Sequence, residues 1–357
     1  MKKLKRAVLA QMILSIFLFF SLSCGYAQED QRDSENPYGV LGFLPWQHPW
    51  NSYHYDTIEK VEKAVKLMSE AGVGFVRLDF LWYDLEPEPG VFDFEWYDQV
   101  VDVLWANDIK ILALLHYNPR WRQDVPWNAP PDFDLYKRYA TAMVEHFKDR
   151  VKYWEIWNEP DEKTYWQPQD DMQTYTALLK MIYPEIKKVD PSAQVLMGGV
   201  SKTITVSLKR IYRNGGKDFF DVVNIHPFVD PLAPDAIDYV KGIYNGVCKE
   251  MAKYGDQDKK IWFTEIGCPG VKESTRENGW WNGISPTEEQ QAQWVDTVFS
   301  ECLKWPGVDK VFWAFFRDTD EHFKSGVDYF GLIRNDFTAK PAYTAYKRIA
   351  AEAQKEE

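Results

Sequence analysis

Cysteine is scarce in this chain: four residues among 357, at positions 24, 248, 268 and 302. None forms a Cys-x-x-Cys pair and no two histidines form His-x-His, so the commonest zinc signatures are missing. Positive charge is in deficit, with 42 Lys and Arg against 54 Asp and Glu. A net charge of −12 argues against nucleic acid and anionic lipid as partners, because both require clustered cations. Gly39 and Gly42 make no glycine-rich phosphate turn after the first apolar segment, which disfavours a doubly wound dinucleotide-binding sheet. The one long apolar run, residues 7–22, is too short and too early for a spanning helix, so no transmembrane span is expected.

What is abundant is aromatic. Sixteen Trp, twenty Tyr and twenty-one Phe exceed what a core alone requires, and part of that excess is expected to line a cleft. Lys2, Lys3, Lys5 and Arg6 ahead of the apolar run read as an export signal over residues 1–27. Gly25-Tyr26-Ala27 offers small residues for cleavage before Gln28, the favoured route. Leu22-Ser23-Cys24-Gly25 is a partial lipobox with Cys24 as a possible lipid anchor, although Ser21 stands where a leucine is usual. Both routes carry the protein out of the cytoplasm, to the periplasm or beyond. Loss of the leader leaves three cysteines, an odd number, so at least one is free unless two chains are bridged. Residues 28–36 read as a polar linker.

From residue 37 onward strands and helices alternate. Strands are expected at 38–44, 74–80, 110–116, 151–158, 194–199, 221–226, 260–266 and 310–316. Helices are expected at 56–71, with Asp56 as N-cap, and at 94–106, 132–148, 169–187, 204–213, 234–253, 286–304 and 341–354. Pro184 is expected to kink the fourth of these. Eight strand–helix repeats with right-handed crossovers give a single-domain (β/α)₈ barrel over residues 37–357.

Two strands end on glutamate. Tyr153-Trp154-Glu155-Ile156-Trp157-Asn158-Glu159-Pro160 stops at a proline that cannot continue a central strand, placing Glu159 at its carboxyl end. Lys260-Ile261-Trp262-Phe263-Thr264-Glu265-Ile266-Gly267 ends in the same way on Glu265. The carboxyl ends of barrel strands are where ligands bind, and two carboxylates are the minimum equipment for cleaving a glycosidic bond. Arg77 sits inside the second strand, where a charge needs a partner such as Asp79 or Glu155. His116 and His226 close strands three and six on the same edge, as substrate contacts or members of the carboxylate network. Trp280 and Trp281, in a Gly- and Asn-rich loop after strand seven, suggest a lid or subsite. The Asn-Pro-Arg-Trp-Arg segment, residues 118–122, suggests further sugar subsites.

Trp-Asn-Glu-Pro on one strand and Thr-Glu-Ile-Gly on a later one resemble the clan A retaining glycoside hydrolases, with families 39 and 5 near. The resemblance covers nearly all of the chain after Asn36. It implies hydrolysis of a β-linked carbohydrate by double displacement, with Glu159 as acid/base, Glu265 as nucleophile, and no metal or organic cofactor. It further implies Arg77 beside the nucleophile keeping it ionised, Asn158 on the sugar 2-hydroxyl, and Trp313 as a platform beneath the sugar. Where many clan members carry a tyrosine two residues after the strand-six histidine, this chain has Phe228. Either Tyr38 or Tyr117 supplies the missing contact to the nucleophile, or Arg77 and His226 alone tune it. A transglycosylase, or a barrel that binds carbohydrate without cleaving it, in wall or exopolysaccharide metabolism, is the alternative.

Overall fold

The computed structural model describes residues 36–52, 54–273, 284–319 and 321–353. Eight parallel strands close into a barrel in chain order: β1 Tyr38–Leu41, β2 Phe75–Leu81, β3 Lys110–His116, β4 Tyr153–Ile156, β5 Gln194–Met197, β6 Val222–Ile225, β7 Lys260–Ile266 and β8 Val308–Ala314. The helices are α1 Ile58–Glu70, α2 Trp82–Leu85, α3 Glu95–Trp105, α4 Phe133–Phe147, α5 Gln173–Val189, α6 Ile204–Arg213, α7 Ala236–Tyr254, α8 Glu288–Cys302 and α9 Pro341–Ala353. The expected (β/α)₈ architecture is therefore present. The single turn α2 was not expected, because four residues carry no helical period.

Local chemistry adjusts the boundaries. Thr57, not Asp56, caps α1 by accepting from the Lys60 amide, while Asp56 is drawn to the Lys60 ammonium at 2.5 Å. Thr287 and Gln290 form a reciprocal capping box, so α8 starts after Pro286 rather than on it. Helix α5 continues through Pro184 to Val189.

Strand alternation layers the barrel interior. Phe75, Leu112, Leu196, Val222, Trp262 and Phe312 pack together as an apolar floor, with Phe75 5.5 Å from Trp262 and Trp262 5.8 Å from Phe312. Gly39 on β1 leaves room for this floor, since a Cβ there would lie 2.4 Å from the Phe312 ring. Two residues beyond Phe75, Val222 and Trp262 come Arg77, Asn224 and Thr264, and two beyond Tyr153, which packs against the floor from β4, comes Glu155; all four are buried. Two further again come Asp79, His116 and His226. The period-two rule thus stacks a polar layer on the aromatic floor and aims both at the carboxyl-end mouth.

Candidate active site

The mouth holds a cleft of about 770 Å³, within the range that encloses small ligands. Aromatic walls come from Trp46, Trp50, Tyr83, Trp127, Phe315 and Phe323, and Glu159 and Glu265 both line it.

Neither glutamate arrives by simple alternation. Beyond β4, Trp157 and Glu159 take left-handed backbone angles, φ 67° and 43°. Such angles are sparsely populated for residues with a Cβ, and here they turn both Asn158 and Glu159 into the cleft. On β7 the pairing with β8 shifts register between Phe263 and Ile266, and Glu265 faces the mouth out of phase with Trp262 and Thr264.

Arg77 is the hub. Its Nε and Nη2 donate to Glu155 at 2.6 and 2.9 Å, Nη2 also donates to Asn158 Oδ1 at 2.9 Å, and Nη1 donates to Glu265 Oε1. Burial alone would disfavour the Arg77 charge, but Glu155 and Glu265 beside it hold it firmly protonated. Both sequence-level readings of Arg77 are therefore realised in one side chain: a structural pair with Glu155 and a contact to Glu265.

His226 links the two glutamates. Its Nδ1 lies 2.8 Å from Glu159 Oε1 and 3.9 Å from Glu265 Oε1. One carboxylate oxygen from each glutamate and a nitrogen of His226 all lie within 4.8 Å of one another. His226 fits because position 199 is glycine; a Cβ there would come 2.0 Å from its Nε2. Burial pulls the imidazole below its ordinary value, with Glu265 opposing and Arg77 reinforcing.

The two carboxyls respond to these surroundings unequally. Burial, then the charge of Asp161, pushes Glu159 up to about 8. Burial also raises Glu265, against the opposing charges of His226 and Arg77. This corrects the expectation that Arg77 keeps Glu265 low: its pull is real, but burial outweighs it.

His116 lies in the cleft wall with Nε2 3.2 Å from Asp79 Oδ1, and the Trp46 indole donates to Asp79 Oδ2 at 2.9 Å. Burial alone would raise Asp79, yet the hydrogen bond and charge of His116 together with Arg77 bring it below the ordinary carboxylate range. Tyr117 and Phe228 line the cleft, whereas Tyr38 packs against Phe299 and Tyr346 away from it.

Trp313 is a correction. With Phe312 turned into the barrel floor, alternation turns Trp313 outward into the main core, fully buried, its indole donating to the Phe330 carbonyl at 2.8 Å. Ala314 and Phe315 line the cleft instead. Trp280 and Trp281 lie outside the described residues. Sequence reasoning missed Asn224, Thr264 and Trp46 as parts of the site. Phase counting from Trp262 would have found Thr264.

A parallel barrel with paired glutamates at its mouth defines a class, and the comparisons agree with it: the chain is similar to the clan A retaining glycoside hydrolases, in the neighbourhood of families 39 and 5. A glycoside hydrolase 42 family model, described as β-galactosidase, matches residues 50–115. Myrosinase 1 of Brevicoryne brassicae is 28% identical over 113 residues, 29% of this chain and 24% of its own length. The β-galactosidase BgaB of a Geobacillus strain is 32% identical over 121 residues, 26% of this chain and 18% of its own. The chain thus spans about a quarter or less of these relatives. The endo-1,4-β-xylanase B of Thermotoga neapolitana is more distant, 22% identical, but aligned over 77% of this chain and 79% of its own. Among solved structures, a family 39 glycoside hydrolase from Bacteroides cellulosilyticus superposes with TM-score 0.70 at 23% identity, covering 88% of this chain and 63% of the other. A monomeric β-xylosidase from Caulobacter crescentus gives 0.68 at 19%, covering 89% and 68%. At these identities the superpositions speak to the fold.

Proposed function

We propose that this chain is an exported retaining β-glycosidase, acting by double displacement on a β-linked polysaccharide or oligosaccharide. The observation that carries the reading is the approach of the two glutamates: carboxylate oxygens no more than 4.8 Å apart across one cleft. Measured between whole carboxyl groups, retaining enzymes hold theirs about 5–5.5 Å apart and inverting enzymes roughly 6.5–9.5 Å to admit a water; nearest oxygens this close favour the retaining arrangement.

Glu159, lifted to about 8, is the proton donor at neutral pH. It gives its proton to the departing glycosidic oxygen as a Glu265 oxygen bonds to the anomeric carbon. Arg77 gathers Glu265, Glu155 and Asn158 on one guanidinium, which orients the nucleophile and leaves the Asn158 amide nitrogen as the donor end for a sugar hydroxyl. Ester formation removes the Glu265 charge and so eases ionisation of Glu159, which then takes a proton from the attacking water. The xylosidase, xylanase and galactosidase names among the similar proteins make β-xylosides and β-galactosides the first substrates to assay.

The two carboxylates should fail differently. Glu265→Ala is expected to lose activity on every substrate, and azide should return a product of inverted anomeric configuration. Glu159→Ala is expected to keep glycosylation by dinitrophenyl glycosides, which need little protonation, and azide should give a product of retained configuration. Equal losses on activated and unactivated glycosides, with no azide rescue of either variant, would show that the pair is wrongly assigned.

A further inference from the structure

Behind His226 stands a chain of buried polar groups that the double displacement itself does not use. His226 Nε2 lies 2.9 Å from Thr264 Oγ1, and the Thr264 hydroxyl donates to Asn224 Oδ1 at 2.7 Å. All three side chains are fully buried. A threonine hydroxyl has one hydrogen and two lone pairs. With the Asn224 amide placed so that Oδ1 faces Thr264 and Nδ2 is without a hydrogen-bond partner among the described residues, that hydrogen goes to Asn224, Thr264 accepts from His226, and Nε2 is the nitrogen that carries hydrogen. Neutral imidazole has a single N–H, and Nδ1 is then a bare acceptor facing Glu159 Oε1 at 2.8 Å. That contact is a hydrogen bond only when Glu159 supplies the hydrogen.

We propose that Thr264, oriented by Asn224, is a positioning residue that fixes the tautomer of His226 and thereby keeps Glu159 in its proton-donating form. The proposal rests on the reading of Glu159 as the acid and adds the device that loads it. Adjacent strands supply the parts, with Asn224 on β6 paired in register to Trp262 of β7, two residues before Thr264. The high value of Glu159 agrees with it. The charged groups bearing on Glu159 are Asp161 and Glu162 on its own loop and Arg77 on β2, with Glu265 on β7 across the cleft; those on His226 are Glu265, Arg77, Glu155 and Asp161. Tyr117 and Tyr165 also face Glu159, and burial keeps both phenols neutral. None of these groups chooses between the two imidazole nitrogens by a hydrogen bond, whereas Thr264 does.

Thr264→Val keeps the shape and deletes the acceptor. The Nδ1–H tautomer then becomes accessible, donates to the Glu159 carboxylate and favours its ionised form. The basic limb of kcat/KM should move down by about one pH unit, a tenfold change in acid occupancy. The loss should be about twofold at pH 7 and approach tenfold above about pH 8 for alkyl β-xylosides or β-galactosides, and stay small for their dinitrophenyl counterparts. Thr264→Ser, which restores the hydroxyl, should restore the limb. In parallel, ¹⁵N NMR of histidine-labelled wild-type protein, with the His226 signals assigned by loss in His226→Gln, should show hydrogen on Nε2. Hydrogen on Nδ1 in the wild type, an unmoved basic limb in Thr264→Val, or equal losses on both substrate kinds would each overturn the proposal. Should no glycoside be cleaved at all, the glycosidase reading fails while the NMR measurement still decides the tautomer.

Discussion

A carboxyl held near 8 is a strain on the fold as well as a tool. Glu159 has an ordinary value of 4.5 and a folded value of about 8, so the folded chain keeps a proton that the unfolded chain releases. Its contribution to stability is full below about 4.5 and is lost progressively as pH rises through about 8. Glu159→Gln retains the shape without the ionisation. The variant is therefore expected to melt higher than wild type, with a gain in Tm that widens from about pH 5 to about pH 9. Thermal scans across that range check it, and a Tm difference independent of pH would show that Glu159 titrates normally. The same residue sets the alkaline side of catalysis: kcat/KM on unactivated glycosides should fall as pH rises through about 8, because the acid form is the active one.

At the scale of elements, the site is built from strand ends whose phase the chain controls with single residues. Gly199, just past β5, is the clearest case, since a Cβ there would strike the His226 ring. Gly199→Ala is expected to fold, as the position lies at the mouth rather than in the floor, but to displace His226 from Glu159 and reduce kcat at least tenfold on unactivated substrates. Steady-state kinetics beside a circular dichroism melt would test it; unchanged kcat would mean the imidazole does not depend on this contact. Phase also explains what was readable in the sequence. The barrel was legible because parallel strands show as repeated apolar runs, and Glu159 was legible because Pro160 must end its strand. Trp313 was not. Residues 312–316 contain four aromatics, and only the burial of Phe312 in the floor tells that Trp313 faces outward. Thr264 and Asn224 read as unremarkable polar residues in apolar strands until the barrel brings them together. Glu265 was found from its place at the strand's end, although the register shift that aims it has no signature of its own.

Taken whole, the barrel separates support from chemistry along its axis. The floor is apolar and aromatic, the middle layer binds Arg77 to Glu155, and the mouth carries the two glutamates. The floor residues are not among those lining the cleft, so changes there should cost stability and spare the reaction, as the division of labour in such barrels requires. Phe312 is the test. Its ring fills the space above Gly39 and packs on Trp262 and Phe75, the latter at 6.1 Å edge-on. Truncation to alanine leaves a cavity that the closed strands cannot collapse around, at a cost of about 3–5 kcal/mol. Phe312→Ala should therefore lower Tm clearly while kcat/KM, measured well below the melt, stays within about twofold of wild type. Phe315→Ala, three residues on and in the cleft wall, should show the reverse: a smaller loss of Tm and a raised KM. Denaturation and kinetics on both variants give the comparison. If Phe312→Ala loses catalysis in proportion to stability, then floor and mouth are coupled through the Arg77 layer, and the barrel's interior works as one cooperative unit.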